Sequence, residues 1–72
     1  MFNELYITVF TFRIVLEYGD EKVNVAFQTP KDITENERLK MRKNAYINVL
    51  NKYEHEVIIA IELKSEITRC II

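Results

Sequence analysis

Residues Leu5–Tyr18, LYITVFTFRIVLEY, form the longest apolar run in the chain, without Gly, Pro, Asn or Asp. β-Branched and aromatic side chains of this kind suit a pleated, half-buried surface, so the run reads as a strand. Side chains alternate between faces along a strand. The even positions Tyr6, Thr8, Phe10, Phe12, Ile14, Leu16 and Tyr18 are nearly all apolar and form the core face. The odd positions are apolar at Leu5, Ile7 and Val9 and become mixed from Thr11 to Glu17. The first third of the strand is therefore apolar on both sides.

A strand over Leu5–Tyr18 spans roughly 46 Å at ~3.3 Å per residue. The only helical pattern, Glu35–Tyr53, spans roughly 28 Å at 1.5 Å per residue. One helix cannot cover the whole strand. The chain has 72 residues and one cysteine, Cys70, so no internal disulfide can staple it. A single domain over residues 1–72 with so small a core has only ~3–5 kcal/mol of net stability to expect. Association with a second copy is the remaining way to hide the surplus apolar surface.

Gly19-Asp20 follows the first strand and precedes KVNVAFQT, Lys22–Thr29. Gly at the first central position suits a two-residue type II′ hairpin turn. That turn pairs Glu17 with Lys22, Leu16 with Val23, Ile14 with Val25 and Phe12 with Phe27, and leaves Leu5–Val9 overhanging. Pro30 ends the second strand because it has no N–H to donate. Thr34 and Glu37 form a capping box for the helix, with Asp32 and Glu35 as a competing cap. Leu39, Tyr46, Val49, Leu50 and Tyr53 share one helical face, flanked by Met41, Ala45 and Ile47. The last stretch, Glu56–Ile72, reads as one strand bent near Ser65, with Val57, Ile59, Ile61, Leu63, Ile67 and Ile71 on its core side. A right-handed crossover then places the first strand in the middle. The predicted fold is α+β: a small ββαβ domain with a three-stranded, mainly antiparallel sheet, order 2-1-3, and one helix on one face.

Groups able to carry chemistry are sparse. His55 is the single histidine, between Glu54 and Glu56, where successive strand residues would point apart rather than converge on a metal. Cys70 has no histidine in an obvious pairing to activate it and reads as a buried or interface thiol. A lone glycine cannot build a phosphate-cradling loop. No catalytic, cofactor-binding or metal-binding residue is assigned. The tyrosines, Tyr6, Tyr18, Tyr46 and Tyr53, read as core-edge residues with wet hydroxyls. Arg38, Lys40, Arg42 and Lys43 make the one cluster of like charge, a candidate nucleic-acid contact, although Lys40 and Arg42 lie on different sides of a helix.

The net charge is −1, which gives no global field toward nucleic acid or membrane. The start of the chain lacks a positive n-region, so a cytoplasmic protein is expected. The functional expectation is a non-enzymatic protein-interaction module, an adaptor or inhibitor, acting as a homodimer on another protein. The interface would be the extension carrying Leu5, Ile7, Val9, Ile67, Cys70 and Ile71. In that arrangement Leu5, Ile7 and Val9 share the outer face with Glu66, Thr68 and Cys70. Composition rich in Asn, Ile and Lys is similar to that of accessory proteins of low-GC bacteria and their phages. The alternative is a nucleic-acid-binding regulator that uses the helix bases.

Overall fold

The computed structural model describes residues 4–30 and 33–71. They form β1 (Tyr6–Leu16), β2 (Gly19–Thr29), α1 (Glu35–Lys52) and β3 (Ile58–Cys70). Both outer strands run antiparallel to the middle one, in the order β2-β1-β3. The predicted ββαβ architecture is the observed one, and the most apolar strand sits in the centre of the sheet.

The core follows the even positions of β1. Phe10, Phe12 and Ile14 are fully buried and Leu16 nearly so, together with Val23, Ala45, Val49 and Tyr53. Two edge-to-face aromatic contacts pin this layer: Phe10 with Phe27 at 5.9 Å and Phe12 with Tyr46 at 4.8 Å between ring centroids. Such pairs add about 0.5–1.5 kcal/mol each beyond the area they bury.

The helix begins where the sequence places it. Thr34 is the N-cap and its hydroxyl oxygen accepts from the Glu37 N–H at 3.2 Å. The hydroxyl in turn donates to the Glu37 carboxylate at 3.1 Å. The competing cap at Asp32 lies outside the described residues. The buried stripe differs from the predicted one. It runs Met41, Ala45, Val49, Tyr53 at four-residue spacing, while Leu39 and Leu50 are exposed. Ala45, expected on the flank, is fully buried within this stripe, and the bulkier Leu39 and Leu50 fall to the outside.

The hairpin register is also corrected. The turn residues are Glu17 and Tyr18, and Leu16 pairs with Gly19, Phe12 with Val23 and Tyr6 with Thr29. Gly19 follows the turn with φ +145°, a conformation that side-chain-bearing residues rarely adopt. Tyr18, read as a core-face residue, is exposed at the hairpin tip, its hydroxyl donating to Glu21. This register keeps the same faces together as the predicted one. It wins because all of β1 finds a partner in β2, which hydrogen-bonds the backbone of the apolar stretch Ile7–Val9. The expected overhang of Leu5–Val9 beyond the hairpin does not exist.

Two irregularities in β3 correct its facing. The pairing steps from Thr11–Ser65 to Phe12–Leu63 and from Val15–Ala60 to Leu16–Ile58. Lys64 and Ile59 are each an extra residue on the β3 side, as in a β-bulge. Each bulge inverts the alternation beyond it. Ile58, Ile61 and Leu63 therefore pack on the core, whereas Val57, Ile59, Ile67 and Ile71 are exposed rather than core-facing. Glu66, Thr68 and Cys70 turn to the helix side, opposite Phe10, Thr8 and Tyr6.

Candidate interaction surface

With one helix on one side, the other face of the sheet has no cover among the described residues. The pairing arranges that face in rungs of three, from β2 through β1 to β3. They read Gln28–Ile7–Arg69, Ala26–Val9–Ile67, Asn24–Thr11–Ser65, Lys22–Arg13–Glu62 and Asp20–Val15–Ala60. One end is apolar. Ile7, Val9, Ile67 and Ile71 line a shallow depression of about 340 Å³ there, bordered by Lys22, Asn24 and Arg69. Ile67 and Ile71 are close to half exposed. The chain continues beyond the sheet at this end, where the Ile71 N–H donates to the Leu5 carbonyl at 2.8 Å.

Ion pairs cross the middle of the face. Arg13 reaches Asp20 through Nε and Nη2 and Glu62 through Nη1, so one guanidinium ties all three strands together. Lys64 meets Glu62 at 3.2 Å. Hydrogen bonds from Arg13, then from Lys64, hold the Glu62 carboxyl below the usual range. No aromatic side chain occurs in these rungs, so the face lacks the stacking platform of an RNA-binding sheet.

Of the predicted interface residues, Ile7, Val9, Ile67 and Ile71 are brought together on this face. Ile67 and Ile71 were expected on the opposite side, and the bulge at Lys64 carries them over. Cys70 is a correction in the other direction. It is exposed rather than buried and pairs with Tyr6 on the helix side, away from Ile7 and Val9. The Tyr6 phenol, donating to Glu4 at 2.8 Å, is pushed up to about 12, mainly by that hydrogen bond.

The helix bases divide. Arg38 and Arg42 both reach Glu66 on β3, whose side chain is only 13 % exposed. Arg42 donates through Nε at 3.2 Å and Nη2 at 2.9 Å. The hydrogen bond from Arg38 is the main reason that the Glu66 carboxyl is held below its ordinary range, with Arg42 adding to it against the cost of burial. Lys40 and Lys43 are exposed elsewhere on the helix. Sequence periodicity missed Glu66 as a partner because the bulge moves it from the wet side to the helix side.

A second cleft of about 400 Å³ lies beside Glu66, between Thr8, Thr29, Thr68 and the start of the helix. The Thr8 and Thr68 hydroxyls satisfy each other at 2.8 Å, and Arg38 is engaged by Glu66. The buried Thr29 hydroxyl has no partner among the described residues. His55 stands in the turn after α1, almost fully exposed, with Nε2 3.4 Å from Glu54. Among the described residues no group of three or more His, Cys, Asp or Glu side chains is gathered to hold a metal, and no helix is long and apolar enough to cross a membrane. No family model matches this chain, and comparisons with curated proteins and with solved structures return no match.

Proposed function

We propose that this chain is a small non-catalytic protein-interaction module that works as a homodimer, with the open face of the sheet as its contact surface. The observation that carries the reading is the cluster Ile7, Val9, Ile67 and Ile71, gathered on a sheet face that no described element covers. Burying four such side chains contributes roughly 1.5–3 kcal/mol each when burial is complete. These four are already half covered or more in one copy, so at most about half of that remains to be gained from each, a sum comparable to the whole net stability of a core this small.

The β3 flank of the sheet offers less. β3 carries two bulges that interrupt its edge, a device that discourages edge-to-edge pairing. The face is the larger continuous surface. The alternative, a nucleic-acid-binding regulator using Arg38, Lys40, Arg42 and Lys43, is weakened by the pairing of Arg38 and Arg42 with Glu66. Lys40 and Lys43 alone give few phosphate contacts. A gel shift with generic DNA and RNA at low salt distinguishes the two, and retardation that fades with salt would favour the alternative.

The direct test is sedimentation at micromolar concentration. The wild-type chain is expected to sediment as a dimer of the 8.6 kDa protomer. Val9→Asp is expected to sediment as a monomer whose circular dichroism is unchanged, since Val9 lies on the uncovered face. A wild-type monomer across that range would reject the homodimer.

A further inference from the structure

We infer that two copies pack open face to open face about a twofold axis that runs along β1, so that β2 of each copy lies over β3 of the other. This deepens the homodimer reading and rests on it. The inference comes from the rungs of the face. Under such an axis, the β2 member of a rung meets the β3 member of the same rung in the second copy, and the β1 member meets itself.

Four of the five rungs then meet themselves acceptably, and the fifth sets Asp20, already held by Arg13 of its own sheet, opposite Ala60. Lys22 falls opposite Glu62, twice per dimer. Ala26 falls opposite Ile67, small against large, on the apolar rung centred on Val9. Gln28 falls opposite Arg69. The uncharged rung of Asn24, Thr11 and Ser65 meets itself. Arg13 meets Arg13 on the axis, but each guanidinium already lies against Asp20 and Glu62 of its own sheet, which offsets the like charges.

A twofold axis across the strands does worse. Centred on Thr11, it lays the charged Arg13 rung on the apolar Val9 rung, burying ions against aliphatic side chains. Moved to Val9, it leaves the charged half of the face uncovered.

Geometry permits the chosen arrangement. Sheets stack about 10 Å apart with strand directions within about 30°. With the crossing point near Thr11, a rung one step away shifts sideways by only about 3 Å. Long side chains such as Lys22 and Glu62 span that shift. Three strands of this length present a footprint of roughly 14 by 36 Å, about 500 Å² per copy. The total of about 1,000 Å² is at the lower bound for a specific interface.

The test is a charge-swap series measured by sedimentation. Lys22→Glu alone sets carboxylate against carboxylate at both contacts, and Glu62→Lys alone sets ammonium against ammonium. Each variant is expected to dimerise at least about tenfold more weakly than wild type. Mixing the two is expected to restore a heterodimer, because both contacts become opposite-charge pairs again. The loss of the Arg13–Glu62 pair inside Glu62→Lys persists in the mixture, so recovery cannot come from repaired folding. Variants that dimerise like wild type, or a mixture that fails to recover, would overturn this geometry while leaving a dimer of another kind. Pairing through the free edge of β2 would give that result. A monomeric wild-type chain would instead remove the homodimer reading itself.

Discussion

Glu66 shows how much one side chain can decide. It sits on the helix side of β3, opposite Phe10, where an apolar residue would be routine. It is tolerated there because Arg38 and Arg42 converge on it from α1. Removing the charge with Glu66→Gln leaves two guanidiniums without their carboxylate. Both arginines remain partly exposed, so the expected loss is about 1–2 kcal/mol rather than that of a sealed ion pair. The carboxyl is held below its ordinary range in the folded chain, chiefly by Arg38. Its stabilisation is therefore fully present above the unfolded carboxylate range and lost as pH falls through the folded value. Denaturant unfolding of wild type and Glu66→Gln should show a gap near neutrality that closes in acid. A gap that is constant with pH would place the effect elsewhere. In the sequence, Phe10, Phe12, Ile14 and Leu16 were legible as core because β1 alternates without interruption. Glu66 was not, because its position depends on an extra residue two places before it.

Among the elements, α1 was the most legible. Its start at Glu35 follows from the Thr34 hydroxyl and Glu37, both local in sequence. Thr34→Ala should cost about 1 kcal/mol, read as a lower denaturation midpoint with an unchanged slope. Little or no change would show that the first turn is held by other contacts. The hairpin was only half legible. Gly19 marks the turn region, but a register moved by two positions in the turn keeps every residue on the same face, so alternation cannot choose between the two. What chooses is the backbone pairing available to the whole of β1. The buried stripe of the helix was legible at Val49 and Tyr53 and misread at Leu39 and Leu50. Ala45, a small residue that periodicity alone left on the flank, lies on the side that faces the sheet.

At the scale of the molecule, the strand order follows from connection rules and from burying the most apolar strand centrally. The predicted mismatch of lengths survives in altered form. α1 spans roughly 27 Å against roughly 36 Å for β1, and the molecule measures 50 × 21 × 18 Å. The surplus apolar surface lies on the uncovered face rather than on an overhanging ribbon. If two copies share that face, unfolding is coupled to dissociation, and the melting temperature should rise with protein concentration. Differential scanning calorimetry over a hundredfold concentration range checks this, and a fixed midpoint would argue against association. The bulge at Lys64 carries one more consequence. If Lys64 were drawn into regular pairing, every residue after it in β3 would move one partner along β1 and change sides, so Ile67 and Glu66 would exchange places between water and core in one step. Loss of Lys64 itself would leave both where they are, so the kink rather than the length of the chain decides which surface the domain shows to the world.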